Sequence, residues 1–224
     1  MNETMTPLAQ ELCEMDNEGD LSWHMSQHER FALAKILDYL RPNLAIEVGS
    51  LHGGSLQVLS RFSKKVISID LVSLVLPELT NVTFLTGDSA KLLPKAIAEA
   101  SKPLGLLGFV LIDADHTAAG VARDINAVLK IVPRIPVAIL MHDSFNPACR
   151  QGILSVSWAD NPLVNFVDVD FVPGRHYEPS ANGCSMWGGF ALATLSPIPR
   201  EGPLVVQQSQ KFVFESVKFA AQHL

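Results

Sequence analysis

From Leu44 onward short apolar runs alternate with helical stretches, and this alternation constrains the fold more than any single motif. Strands are expected over 44–48, 66–70, 82–86, 108–112 and 136–141, the pattern of βαβ units winding a parallel sheet. Each run ends at or beside an acidic residue: Glu47, Asp70, Asp88, Asp113 and Asp143. After Asp143 the period changes. Val164 to Val172 alternates apolar with polar residues, and a second strand-like run covers Gly188 to Thr194. A period of two across a Gly- and Pro-containing connection predicts an antiparallel pair at the sheet edge. The expected class is α/β, with a seven-stranded, mostly parallel sheet, helices on both faces and a C-terminal antiparallel pair.

The helices are marked by caps and stripes. Ser26-Gln27-His28-Glu29 has the form of a capping box, and Leu33, Ile36, Leu37 and Leu40 follow at helical spacing until Arg41-Pro42 stops the helix. This helix should cover the sheet. Val121, Ile125, Val128, Leu129 and Val132 form a core stripe before Pro133. Gln207 to Leu224 reads as a final helix with Val213, Val217, Ala220 and Ala221 on one face, which would pack on its own domain or on a second subunit of a homo-oligomer. The segment 1–25, with Trp23 and His24, has no clear period and reads as a surface stretch or a lid.

Composition narrows the partners. With 224 residues and no linker, repeat or low-complexity run, residues 1–224 are expected to form a single domain. A net charge of −6 argues against a nucleic-acid partner, which requires clustered Lys and Arg. Cys13, Cys149 and Cys184 are odd in number and lack CxxC spacing, which fits neither a disulfide framework nor a cysteine zinc site and points to a reducing cytoplasm. Neither a leader at Met1-Asn2-Glu3-Thr4 nor a run of about 18 apolar residues is visible, so no secretion and no membrane span are expected.

The loop Glu47-Val48-Gly49-Ser50-Leu51-His52-Gly53-Gly54-Ser55 closes the first strand. Gly49 and Gly53 allow a sharp turn and close approach of a ligand, Ser55 could cap the next helix and present its hydroxyl, and Glu47 could accept from a cationic amine. A dinucleotide fingerprint would read GxGxxG. Here Ser50 follows Gly49, which disfavours nicotinamide and flavin cofactors. Asp70, about 20 residues beyond the loop, is placed to hold ribose hydroxyls. Asp88 could reach an adenine amine, and Asp88 or Ser89 could cap the helix carrying Leu92, Leu93 and Ile97.

The sharpest chemical signal is Asp113-Ala114-Asp115-His116 after one apolar strand and His142-Asp143 after the next. Carboxylates at the carboxyl edge of an open sheet lie where ligands bind. Asp113 and Asp143 together could hold a hard divalent cation such as Mg2+, whereas no nitrogen and sulfur set suited to zinc is present. Helix capping and cofactor contact without metal is the alternative. His116 could take a proton from a hydroxyl near neutral pH. His142 reads as a ligand, an outer hydrogen-bonding partner or a buried histidine. His52 should line the pocket rather than react, and His176 lies in a loop. Phe145, Trp158, Tyr177 and Trp187 are candidates for an aromatic pocket or for core.

With these residues laid out, the chain resembles the class I S-adenosylmethionine-dependent methyltransferases over roughly residues 26–196, most strongly over 44–146. Within that class it is similar to the D-x-D-H and H-D group of small-molecule and sugar O-methyltransferases, the family 24-like enzymes related to cephalosporin-modifying ones. The resemblance implies a Rossmann-like sheet with a reversed last strand. It implies a cofactor set of Glu47, Gly49, Ser50, Gly53 and Ser55 about the methionine portion, Asp70 at the ribose, Asp88 and Ser89 at the adenine, and Asp113 beside them. It also implies a metal on Asp113 and Asp143, with His116 and Asp113 as the catalytic pair. Catechol and caffeoyl-coenzyme A methyltransferases are similar too, but Ser144 stands where they have Asn, and His116 where the caffeoyl type has Lys. The expected activity is methyl transfer from S-adenosylmethionine to a hydroxyl oxygen of a small molecule. A cofactor-binding domain without turnover and a nicotinamide-dependent oxidoreductase are the alternatives.

Overall fold

A computed structural model describes residues 23–72, 78–102, 106–180 and 183–212. The elements run α1 (Gln27–Leu40), β1 (Leu44–Val48), α2 (Gly54–Phe62), β2 (Lys65–Asp70), β3 (Val82–Thr86), α3 (Ser89–Ala100), β4 (Leu107–Ile112), α4 (Ala118–Val128), β5 (Val137–His142) and α5 (Pro147–Ser155). A C-terminal β-rich part follows: β6 (Val164–Val172), β7 (Arg175–Ser180), β8 (Gly183–Trp187), β9 (Phe190–Leu195) and β10 (Val206–Gln207).

The main sheet has the order β10-β6-β9-β5-β4-β1-β2-β3. Strands β1 to β5 are mutually parallel, while β9 runs antiparallel to both β5 and β6. The sheet therefore holds eight strands, not seven. The extra one is β10, two residues paired with Val167 and Asp168 of β6. Instead of a plain loop, the connection from β6 to β9 carries the β7–β8 hairpin. Of the expected C-terminal helix, Gln207 belongs to β10, 208–210 are not helical, Lys211 and Phe212 are, and 213–224 lie outside the described residues, as do residues 1–22.

Strand alternation divides the core. Ile46, Val48, Ile69, Val110, Ile112, Ile139 and Met141 face Leu93, Ile97, Val121, Ile125, Val128 and Ile153 of α3, α4 and α5. Ala45, Val66, Phe109, Leu111, Ala138 and Leu140 face Leu33, Leu37, Leu56 and Leu59 of α1 and α2. Both faces are thus covered, as a parallel sheet requires. Helix α1 starts with the expected capping box, the Ser26 hydroxyl accepting from the Glu29 N–H and the Glu29 carboxylate accepting from the Ser26 N–H at 2.5 Å, and it ends at a left-handed Arg41 before Pro42. Asp88 caps α3 by accepting from the Ala90 N–H at 2.8 Å. Among the described residues no helix is long and apolar enough to cross a membrane.

From β1 the chain goes to β2 on one side, and β4 pairs on the other, so the strand order reverses between β1 and β4. Ligands of open α/β sheets bind in the crevice outside such a reversal. Gly49 sits there with φ +91, and a Cβ on it would collide with the Asp113 carbonyl. Glycine lets the loop after β1 press against the end of β4.

Candidate active site

A cavity of about 1070 Å³ opens over this reversal. Its walls come from the strand ends: Val48–Ser50 after β1, Ile69–Leu71 after β2, Gly87–Ser89 after β3, Asp113–His116 after β4 and His142–Asp143 after β5. Trp23, His24 and Met25 close one rim, and Arg123, Arg175 and Trp187 complete the wall. Of the segment 1–25, these three are the residues that the structure describes.

Below the glycine loop, Glu47 is fully buried and is not part of the cavity wall. Burial pushes its carboxyl up to about 8, against the hydrogen bond from Ser55. The Ser55 hydroxyl donates to Glu47 Oε1 at 2.5 Å, and Oε2 has no partner. Ser55 does not cap α2, contrary to expectation. Gly53, left-handed at φ 84, holds the cap position without a side-chain bond, which leaves Ser55 in the first turn and its hydroxyl turned down to Glu47. Ser50 is buried, with its hydroxyl on that of Ser68.

Asp70 lines the cavity and braces the loop. One oxygen accepts from the Ser50 and Leu51 N–H groups at 2.8 and 3.0 Å, and the other from Val72 N–H at 2.9 Å. Asp88 stands exposed at the tip of α3. Ser89 is buried and its hydroxyl donates to Asp124 at about 3.0 Å, so it is spent on packing rather than turned to a ligand. Arg123 lies against Asp124 and Asp115 at 3.2 and 3.4 Å, and Asp115 accepts from the Thr117 N–H at the start of α4. Asp115 thus faces away from the group formed by its neighbours.

That group is Asp113, His116 and Asp143, whose ligating atoms lie within 4.8 Å of one another. His116 Nε2 is 3.0 Å from Asp143 Oδ2 and 3.6 Å from Asp113 Oδ1. Hydrogen bonds to Asp113 and Asp143 raise the imidazole to about 10 despite desolvation. The ring meets the Trp187 indole edge-on, centroids 5.7 Å apart. Asp143 adopts φ 56, left-handed for a residue with a side chain, and its Oδ1 accepts from the Gly188 N–H at 2.7 Å. Two carboxylates and an imidazole converging from adjacent strand ends fit a divalent cation, the carboxylates suiting Mg2+ and the nitrogen widening the choice to transition metals.

His142 is an outer partner. Its Nδ1 is 3.0 Å from Asp113 Oδ1 and its Nε2 is 3.1 Å from Glu29 Oε1, with the Phe190 ring packed against it. Burial would lower this imidazole, but the charge of Asp113 and the two hydrogen bonds raise it well above its ordinary value. Burial likewise raises the Asp113 and Glu29 carboxyls, and the His142 contacts outweigh it, holding Asp113 below the usual range and Glu29 at about 2. His52 is exposed beside His24 and lies off the cavity wall, contrary to expectation. Phe145 and Trp158 are buried core, Trp187 lines the cavity, and the side chains of His176 and Tyr177 lie outside the described ones. Sequence does not point to Glu29 or Arg123 as part of this region. Glu29 carries only a helix-cap signal, and Arg123 has the character of a solvated helix residue.

No protein-family model and no curated protein matches the chain. Solved structures do. An O-methyltransferase from Bacillus cereus in complex with S-adenosylhomocysteine is 14% identical at a TM-score of 0.52, over 88% of this chain and 93% of that one. The O-methyltransferase TomG from Streptomyces achromogenes, in complex with S-adenosylmethionine, is 14% identical at 0.52, over 86% and 91%. MycE from the mycinamycin biosynthetic pathway, in complex with Mg, S-adenosylhomocysteine and mycinamycin VI, is 16% identical at 0.54, over 89% of this chain and 57% of that one. At such identities the likeness is one of architecture, and it matches the resemblance carried by the motifs: the chain has the Rossmann-like fold of the class I S-adenosylmethionine-dependent O-methyltransferases.

Proposed function

We propose that this protein transfers a methyl group from S-adenosylmethionine to a hydroxyl oxygen of a small molecule, with a divalent cation, Mg2+ in the first instance, at Asp113 and Asp143. The observation that carries the reading is the convergence of Asp113, His116 and Asp143 in the same cavity as the Gly49 loop and Asp70. A cofactor laid along the strand ends from Asp88 and Asp70 to Gly49 would bring its sulfonium beside the acid–imidazole group. Ser89 is the weakest member of that set, since its hydroxyl is engaged by Asp124.

Acting as base rather than as a third ligand, the His116 imidazole would take the hydroxyl proton once a cation offsets the carboxylates that raise it, and Trp187 limits the ring's freedom to swing away. Bound S-adenosylmethionine would supply an electrophilic methyl group, which the acceptor oxygen would gain as the carbon–sulfur bond breaks and its electron pair stays on sulfur. A cation on Asp113 and Asp143 would neutralise the carboxylates that now raise His116, and would lower the pKa of the acceptor hydroxyl. Trp23, His24 and Met25 on the rim help exclude water from the reacting atoms. The three cysteines without CxxC spacing fit a reaction in the cytoplasm.

Calorimetric titration of metal-stripped protein with S-adenosylhomocysteine, repeated with Mg2+, tests this first. Stoichiometric binding tightened by Mg2+ is expected. Absence of binding in both conditions removes the methyl-transfer reading, and binding without any turnover of a broad panel of hydroxylated acceptors leaves a domain that holds cofactor only.

A further inference from the structure

Capping α1 needs one oxygen of Glu29. Oε2 supplies it, accepting from the Ser26 N–H at 2.5 Å. Oε1 points inward and accepts from His142 Nε2 at 3.1 Å and from the Gly189 N–H. The side chain is only 1% exposed. A cap works as well at the surface, where the carboxylate keeps its water, so burial of this one needs a reason beyond the helix.

From Oε1 two short chains of contact reach the two candidate ligand carboxylates. One passes through the His142 ring, whose Nδ1 lies 3.0 Å from Asp113 Oδ1. The other passes through the turn after β8. Gly189 donates to Glu29, and Gly188 donates to Asp143 Oδ1 at 2.7 Å. Both glycines are left-handed, and a Cβ on Gly188 would come within 2.7 Å of Glu29 Oε1. The same turn follows Trp187, which packs against His116.

We infer that Glu29 is the positioning residue of the Asp113–His116–Asp143 centre. From a helix outside the strand ends it holds Asp113 through His142 and Asp143 through the glycine turn, and so fixes the spacing of the two carboxylates. This rests on the reading of that centre as the metal-assisted methyl-transfer site.

The test measures Mn2+ and S-adenosylhomocysteine binding to metal-stripped wild-type protein and to Glu29→Gln, Glu29→Asp and Ser26→Ala. Glu29→Gln is expected to weaken Mn2+ binding about 10–100-fold, to alter the Mn2+ paramagnetic resonance spectrum of what still binds, and to leave S-adenosylhomocysteine affinity within about twofold. Ser26→Ala removes the hydroxyl half of the capping box but not the Oε1 contacts, and should leave both affinities unchanged. If Glu29→Gln does not fold, Glu29→Asp keeps the charge, shortens the reach, and is judged by the same criterion. Wild-type Mn2+ affinity and spectrum in the Glu29 variant overturn the inference, as does a loss of equal size in Ser26→Ala, which would make the effect one of helix stability. Wild-type protein that binds S-adenosylhomocysteine but no Mn2+ overturns it too. Failure of wild-type protein to bind S-adenosylhomocysteine is a separate result that removes the methyl-transfer reading itself.

Discussion

The two halves of the sheet's carboxyl edge hold their carboxylates by different means. On the β2–β3 side, Asp70 and Asp88 accept from main-chain N–H groups of Ser50, Leu51, Val72 and Ala90. Those donors come with the turn itself and depend on no particular side chain. On the β4–β5 side, Asp113 and Asp143 are held by His142, His116 and the Gly188 N–H, with Glu29 behind them. Each charged partner there leaves another charge uncompensated when it is removed, a much larger penalty than loss of one neutral hydrogen bond. The first half suits the binding of uncharged hydroxyls and amines. The second is built to manage charge and a proton.

If the halves are functionally separate, a change in one should leave the other's readout alone. The largest effect is expected for His116→Ala. Loss of the proposed proton acceptor should lower kcat about 10²–10⁴-fold, while S-adenosylhomocysteine affinity measured by calorimetry stays near wild type. A comparable loss of cofactor affinity would show that the two halves act as one unit.

Asp70→Ala is the reciprocal change and the next in size. It frees three main-chain N–H groups of the loop and its neighbour. Hydrogen bonds to a charged acceptor are worth roughly 1.5–3 kcal/mol, so S-adenosylhomocysteine affinity should fall about 10–100-fold. Mn2+ affinity should not move. An Asp70 variant with wild-type cofactor affinity would mean that the carboxylate only tidies the loop.

The same contrast governs what the sequence discloses. Strands β1 to β5 carry their own apolar period and stop where Asp70, Asp113 or the Gly49 loop begins, so each is legible to within a residue or so of its observed bounds. The β2–β3 half is local: Asp70 sits at the end of a strand and reaches a loop that its own glycines announce. The other half is not. Glu29 and His142 are separated by 113 residues, and Glu29 already satisfies a complete local explanation as a cap. Nothing in a capping box reveals where its second oxygen points. Ser55 misleads for a related reason: Gly53 caps α2 through its backbone alone, which no side-chain signal marks. The two-residue β10 pairs through main chain only and leaves no period to detect.

The smallest expected effect concerns Glu47, at the end of β1 and buried like the charged group across the reversal. Its carboxyl is raised from an ordinary 4.5 to about 8, by burial first and then by Asp113 and Asp70, against the hydrogen bond from Ser55. A carboxyl raised in the folded state binds its proton more tightly there than in the unfolded chain. Stability contributed by that proton is present at low pH and is lost as pH rises from about 4.5 through about 8. Glu47→Gln supplies a permanently neutral group of the same shape. The variant should therefore match wild type below about pH 4.5 and gain on it as pH rises from there to about 8. Between about pH 7 and 8.5 the gain grows by a further ~1 kcal/mol, or about 2–4 °C in Tm. Thermal melts of both proteins across that range measure it, the groups they share cancelling in the difference. A constant gap between the two curves would mean that Glu47 is already ionised at neutral pH. Its unpartnered Oε2 would then need a cationic donor, and added S-adenosylhomocysteine should steepen the wild-type profile but not that of the variant.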